Sequence, residues 1–218
     1  MDEIADIVLK HDGIIWGPYV WSLLNGTATK KMMVRFIDKN VFNFSSVIDI
    51  PTKFMTDINE NFTIKSFKDD VIVLDNGIEI FISVHNHIRE IEFITTIDFT
   101  CNLLDYNRSG FHIRNIPECL EFCSSPYRHV KDHITNKELV PVNSVQAIKR
   151  YGLYPSWKPK KMSLNINIHK HDSDETCGIC HYKFSDMCVT LRCSHIFHLE
   201  CLSKWVDNGT CPMCRDQI

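Results

Sequence analysis

The 218-residue sequence has no run of about 18 apolar residues, so it offers no candidate for a membrane-spanning helix. It contains no internal repeat and no long low-complexity tract, which argues against a solenoid or a linker-like chain. It also lacks a dominant charge. Lys and Arg number 24 against 27 Asp and Glu, and the net −3 gives no general reason to expect nucleic acid or an anionic membrane as partner. The stretch Met1 to Lys10 lacks the basic start of a secretory signal and carries Asp2, Glu3 and Asp6 instead. These absences lead to the expectation of an intracellular protein, cytoplasmic or nuclear. Apolar residues make up 44% of the chain, which fits a folded protein, and the length suits a medium domain with a small appendage.

What the sequence does have is ten cysteines in an uneven distribution. Cys101, Cys119 and Cys123 lie mid-chain, and the remainder fall between Cys177 and Cys214. A disulfide-stapled secreted protein spreads its cysteines along a short chain, whereas clustering in a reducing compartment points to metal.

The periodicity divides the chain into two bodies and a connector. In residues 1–153, Ile4 to Lys10 and Val20 to Leu24 have the apolar spacing of helices, and Val34 to Ile37, Val71 to Leu74 and Ile78 to Val84 read as short strands. Asp75-Asn76-Gly77 separates the last two as a hairpin turn, since Asn and Gly tolerate the positive φ of a tight reversal. The whole reads as α+β, with a mixed α/β domain first. Residues 154–175 hold Pro155, Pro159 and many charged side chains, the composition of a linker. A small domain over 176–218 closes the sequence as given.

In that segment the candidate ligands run Cys177, Cys180, Cys193, His195, His198, Cys201, Cys211 and Cys214. A Cys-x2-Cys pair presents two sulfurs from one turn to a single ion, and four soft or borderline donors close a structural zinc site. Eight candidates make two such sites, and hence two Zn2+ ions. About forty residues are too few to build a stable core unaided, and structural zinc contributes on the order of 10–16 kcal/mol per site. Without metal the segment is expected to be unfolded.

Order and spacing over residues 175–218 resemble the RING finger family, in the variant with two central histidines. The resemblance implies interleaved sites: Cys177, Cys180, His198 and Cys201 on one ion, and Cys193, His195, Cys211 and Cys214 on the other. It implies a short helix from Leu202 to Val206. It further implies an apolar groove for a ubiquitin-conjugating enzyme at Ile179, Trp205 and Pro212, with Arg215 as the catalytic residue that bridges that enzyme and its attached ubiquitin. Cys188, in what would be the variable loop, reads as packing.

The stretch Trp16-Gly17-Pro18-Tyr19-Val20-Trp21-Ser22-Leu23-Leu24-Asn25-Gly26 resembles the opening motif of polymerase-β-type nucleotidyltransferases of the tRNA CCA-adding kind. Ile97-Asp98-Phe99-Thr100-Cys101-Asn102-Leu103-Leu104-Asp105-Tyr106 is similar to a later segment of the same enzymes. The departures are chemical. Pro18 stands for a glycine, and Trp21 and Ser22 stand for Arg-Asp. Lys31 and Met33 fall where paired carboxylates would hold magnesium, and Glu79 alone remains for the third. The resemblance therefore implies a degenerate domain that recruits a target. Such a fusion, rich in Asn, Ile and Lys, also resembles genes of large DNA viruses.

Weaker candidates have ordinary readings. Asp38 and Asp49 read as solvated loop carboxylates rather than metal ligands. His85 and His87 read as a polar sheet face rather than a site. Arg128 to His133 reads as a solvated helix face, with residual nucleic-acid binding as the alternative. The expected function is that of a RING-type E3 ubiquitin transferase whose partners are a conjugating enzyme, ubiquitin and an unidentified protein substrate. A zinc-dependent scaffold, or a nucleotidyltransferase with an accessory zinc module, is the alternative.

Overall fold

The computed structural model describes residues 2–37, 50–85, 97–114, 124–160 and 166–218. Asp38, Asp49, His87, Cys119 and Cys123 lie outside them. The described residues fall into two units. The first takes those within Met1–Thr95, Cys101–Ile116 and Ser125–Thr135; the second takes those within Thr96–Thr100, Pro117–Ser124 and Asn136–Ile218.

The first unit is built on a mixed sheet. Its elements are α1 (Asp2–Lys10), β1 (Ile14–Trp16), α2 (Pro18–Asn25), β2 (Lys31–Ile37), α3 (Thr52–Asn61), β3 (Ile64–Lys68), β4 (Val71–Leu74), β5 (Glu79–His85), β6 (Leu104–Asn107), β7 (Gly110–Ile113) and α4 (Pro126–Thr135). The seven strands run in the order β3-β4-β5-β2-β1-β6-β7. Among the described strands of this sheet, only β2 and β5 pair in parallel, with Lys31 opposite Glu79 and Val34 opposite Ile82. The hairpin expected at residues 75–77 joins β4 and β5: Gly77 takes φ 78, its N–H donates to the Leu74 carbonyl, and the Ile78 N–H donates to Asn76 Oδ1. Pro18 stands in the first turn of α2, where a missing N–H costs nothing.

Alternation on the strands selects the core. Met32, Val34 and Phe36 of β2 are buried along with Ile80 and Ile82 of β5, and Phe36 meets Phe54 of α3 at 5.0 Å between ring centroids. Ile4, Val8, Val20 and Ile58 bring the neighbouring helices into the same core. Full burial of such a side chain is worth about 1.5–3 kcal/mol. In α4, Val130, His133 and Ile134 are buried, and Arg128, Lys131 and Asp132 form the exposed face.

On the other face of β2, Arg35 is 2% exposed and its Nη2 donates to Asp105 Oδ2 at 2.8 Å. Arg114 grips the same carboxylate with two nitrogens, Nε at 2.9 Å from Oδ2 and Nη2 on Oδ1. One buried carboxylate thus ties β2, β6 and the residue after β7 together. At the end of the strand Lys31 Nζ lies 3.5 Å from Glu79 Oε2. Lys31 and Met33, with Glu79, are the residues that the sequence resemblance set against metal-binding carboxylates.

The second unit comprises β8 (Glu138–Leu139), α5 (Ser144–Arg150), β9 (Lys158–Pro159), β10 (Ile166–Lys170), β11 (Ser173–Thr176), β12 (Lys183–Phe184), β13 (Met187–Leu191), β14 (Ile196–His198) and α6 (Leu199–Trp205). Three antiparallel strands run β10-β13-β14, and β11 pairs with β12. Phe184, Val189, Phe197, Leu202 and Val206 form a small core. Asn143 caps α5 by accepting from the Gln146 N–H at 3.0 Å. That helix packs against α6 and the 3-10 turn Val206–Asn208, where Lys149 ion-pairs with Asp207.

The stretch 154–175, expected as a linker, instead contributes structure. Tyr154 is buried and donates its hydroxyl to Asp98 Oδ2 at 2.9 Å, β9 pairs with β8, and β10 pairs along its length with β13. Ile166 and Ile168 alternate inward on β10. The prolines and charges of this stretch lie on or beside strands whose partners are distant in sequence, so local composition hides the pairing.

Asp105 is the most consequential polar residue of the first unit. Replacing it, Asp105→Asn, removes the carboxylate from two buried guanidinium groups and is expected to cost about 3–5 kcal/mol. A urea titration should read this as a lower midpoint at unchanged slope.

A paired candidate metal centre

The chain folds back on itself to build two four-residue clusters. Cys177 and Cys180 sit in the turn after β11, His198 ends β14, and Cys201 lies in the first turns of α6. Cys193 and His195 occupy the turn between β13 and β14, and Cys211 and Cys214 follow the Val206–Asn208 turn. The structure brings Cys177, Cys180, His198 and Cys201 together, and separately Cys193, His195, Cys211 and Cys214; within each cluster all ligand atoms lie within 4.8 Å of one another. His198 Nδ1 is 3.3 Å from Cys180 Sγ and 4.0 Å from Cys201 Sγ. His195 Nδ1 is 3.3 Å from Cys193 Sγ and 3.6 Å from Cys211 Sγ. Zinc–sulfur bonds of about 2.3 Å and zinc–nitrogen bonds of about 2.0 Å in a tetrahedron set donors at this kind of separation.

The backbone prepares both Cys-x2-Cys turns in the same way. The His181 N–H donates to the Cys177 carbonyl at 2.8 Å, and the Arg215 N–H donates to the Cys211 carbonyl at 2.9 Å. Both donors adopt positive φ, 62° at His181 and 63° at Arg215, and Ser194 after Cys193 does so at 68°. Left-handed backbone costs a non-glycine residue roughly 1–2 kcal/mol, so each turn needs an external hold. The two turns also touch. A Cβ built on Gly178 would lie 3.1 Å from Met213 Sδ, a tight contact that the methionine side chain would have to relieve by shifting a few tenths of an ångström.

Acidity within the clusters is uneven. Burial opposes ionisation of Cys177, yet the backbone N–H groups of Cys180, Ile179 and His198 bring its thiol down to about 7. Cys211 is likewise lowered against its burial by the N–H groups of Cys214 and Met213. Their neighbours go the other way. Burial, then the thiols of Cys180 and Cys177, push Cys201 up to about 12. Burial, then Cys214 and Cys211, push Cys193 up to about 11. A first thiolate thus suppresses the next, and a divalent cation reverses that sign for all of them. Three thiols and one imidazole in tetrahedral reach suit zinc rather than magnesium or calcium. The two clusters can bind two zinc ions.

One orienting group was not visible in the sequence. His198 Nε2 lies 3.2 Å from the Lys183 carbonyl, an acceptor, so that nitrogen carries the proton and Nδ1 keeps its lone pair for metal. A backbone oxygen leaves no compositional signal. Cys188 sits on β13 opposite His198 rather than in a loop, fully buried, and burial pushes its thiol up to about 11. The helix begins at Leu199, earlier than the expected Leu202, because His198 ends the strand and Glu200 favours a helix start.

Comparison with known proteins agrees with this geometry. The Ring finger domain family matches residues 175–215. This segment is a RING finger domain. The E3 ubiquitin-protein ligase RNF139 of Mus musculus is 31% identical over 111 residues, covering 50% of this chain and 15% of its own length. The E3 ubiquitin-protein ligase BIG BROTHER of Arabidopsis thaliana is 30% identical over 94 residues, covering 40% of this chain and 38% of its own. The chain thus spans well under half the length of either relative. Among solved structures, the complex of CCA-adding enzyme with ATP aligns with 73% of this chain and 39% of that chain at 14% identity and TM-score 0.45, a weak likeness.

The remaining sequence candidates flank the RING clusters. Ile179 and Pro212 are half-buried inside the two touching turns, and Arg215 is exposed. Trp205 is 40% exposed and donates its Nε1–H to the Thr210 carbonyl at 2.9 Å, which ties it to the residue before Cys211. No helix among the described residues is long and apolar enough to cross a membrane.

Elemental analysis of protein purified with zinc is expected to give two ions per chain. Cys180→Ser and His195→Ala should each lower the count, whereas Cys188→Ala should leave it at two.

Proposed function

We propose that this chain is a RING-type E3 ubiquitin transferase. The observation that carries the reading is the convergence at one end of the RING domain. Ile179 and Pro212 lie in turns that meet at Gly178 and Met213, and the Trp205 indole is bonded to the strand entering the second turn. An apolar pair with an aromatic anchor beside it is the kind of shallow patch that serves as an interface hot spot. We assign it to a ubiquitin-conjugating enzyme.

In this proposal the eight cysteines and histidines are the zinc ligands, in the two groups their geometry forms. Zinc takes no part in the reaction; when bound, it holds the two turns in register. Arg215 follows the last ligand and extends into solvent, and its forked guanidinium can bond the conjugating enzyme and its thioester-linked ubiquitin at once. Pinning the pair leaves the thioester carbonyl open to a lysine amine of the target. The amine attacks the thioester carbonyl, the C–S bond breaks and the conjugating enzyme's cysteine leaves as thiolate, the amine's proton passes to solvent, and an isopeptide bond forms. No cysteine of this chain acts as nucleophile.

The first unit is assigned the recruitment of a protein substrate. We assign it no nucleotidyl transfer, because Lys31 faces Glu79 where two carboxylates would be needed and Met33 offers no oxygen. We assign the protein to a reducing compartment, cytoplasm or nucleus, where thiols clustered for metal stay reduced.

The test is reconstituted ubiquitination with zinc-loaded protein and a panel of conjugating enzymes. Wild type is expected to make ubiquitin chains. Ile179→Ala should weaken binding of the conjugating enzyme, and Arg215→Ala should slow transfer roughly tenfold, about 1.4 kcal/mol at the transition state, with two zinc ions retained in both. A two-zinc protein that discharges none of the enzymes would be a scaffold instead.

A further inference from the structure

Arg215 is exposed, yet its backbone is bracketed from both sides. Before it, the Cys211–Cys214 turn closes on the Arg215 N–H. After it, Asp216 to Ile218 run back antiparallel to the segment entering that turn. The Cys211 N–H donates to the Asp216 carbonyl at 2.7 Å, the Ile218 N–H donates to the Gly209 carbonyl at 3.1 Å, and Thr210 and Gln217 face each other as an antiparallel bridge. The Asp216 carboxylate lies 3.6 Å from the guanidinium of Arg192, the residue before Cys193. None of these contacts supplies a metal ligand. What they fix is the exit direction of the chain at a residue with φ 63, a conformation that is energetically costly for a non-glycine residue.

We propose that Asp216–Ile218 together with Arg192 form a positioning clamp that aims Arg215 at the conjugating enzyme and ubiquitin. The clamp rests on the reading of Arg215 given above and adds residues to it. It works through backbone pairing and one side-chain ion pair, so side-chain identity matters at Asp216 and Arg192 but little at Gln217. The same Thr210 accepts the Trp205 indole through its carbonyl. The paired strand segment therefore links the aromatic anchor of the docking patch to the arginine of the transfer step, and both are referenced to one piece of backbone.

The experiment uses the full zinc-loaded chain and the variants Ile218→Pro, Arg192→Asp, Asp216→Arg, the Arg192→Asp/Asp216→Arg double swap, and Gln217→Ala. Four quantities are read: zinc per chain, amide hydrogen exchange at Arg215 and at His181, affinity for the uncharged conjugating enzyme, and single-turnover discharge of ubiquitin to free lysine. His181 makes the equivalent bond in the first turn and serves as internal reference. Ile218→Pro deletes one clamp donor. It is expected to raise exchange at Arg215 about tenfold and slow discharge about fivefold, with His181, zinc content and enzyme affinity unchanged. Each single charge reversal should slow discharge about twofold, the double swap should restore it, and Gln217→Ala should match wild type. Unchanged Arg215 exchange in Ile218→Pro would overturn the proposal. So would a parallel fall in zinc content, affinity and discharge, which would make the tail merely structural. Wild-type protein that discharges nothing would refute the ligase reading and with it the clamp's role in transfer, and the exchange data would still report whether the tail orders Arg215.

Discussion

Three thiols and an imidazole packed within reach of one ion cannot all be ready to bind in the absence of that ion. The first thiolate to form, favoured by backbone N–H groups at Cys177 or Cys211, raises the cost of the next. The RING segment within the second unit, residues 175–215, depends on resolving this conflict with a cation. Its strands are short, its core is a handful of side chains around Phe197 and Leu202, and its ligand turns hold non-glycine residues at positive φ. Local propensity and apolar burial pull weakly here, and zinc binding is the term large enough to hold the arrangement.

The first unit is held by different means. A continuous parallel register between β2 and β5 places apolar residues on one face, and a single buried aspartate pairs with two arginines on the other. Buried ion pairs of this kind contribute uniqueness more than net stability, since any other pairing of the strands strands a charge. The Lys31–Glu79 pair lies at the open end of the same register, exposed and correspondingly weak.

The two parts were unequally legible in the sequence. The two cysteine and histidine clusters were legible because their chemistry is rare and their spacing local, and the β4–β5 hairpin was legible because Asn76-Gly77 demands one backbone geometry. The pairing of β10 with β13 was not, since a five-residue strand among prolines and lysines gains its meaning from a partner some twenty residues away. The Arg35–Asp105–Arg114 triad was hidden for the same reason: each member alone reads as an ordinary surface charge. Cys188 was legible as a packing residue but not as a strand residue, because burial and strand position leave the same single-letter signal. The Lys183 carbonyl that orients His198 belongs to the backbone and has no sequence signature at all.

The interleaved order of the two clusters has a consequence for how the domain responds to its surroundings. Each cluster takes one pair of ligands from either side of a pair belonging to the other, so neither half of the segment encloses a complete site by itself. Filling one cluster restrains the loops that carry the other, and the free energy of the second ion includes ordering already accomplished by the first. The folded fraction of the segment is then expected to rise with more than the first power of free zinc, so that its order is gained over a narrow concentration range.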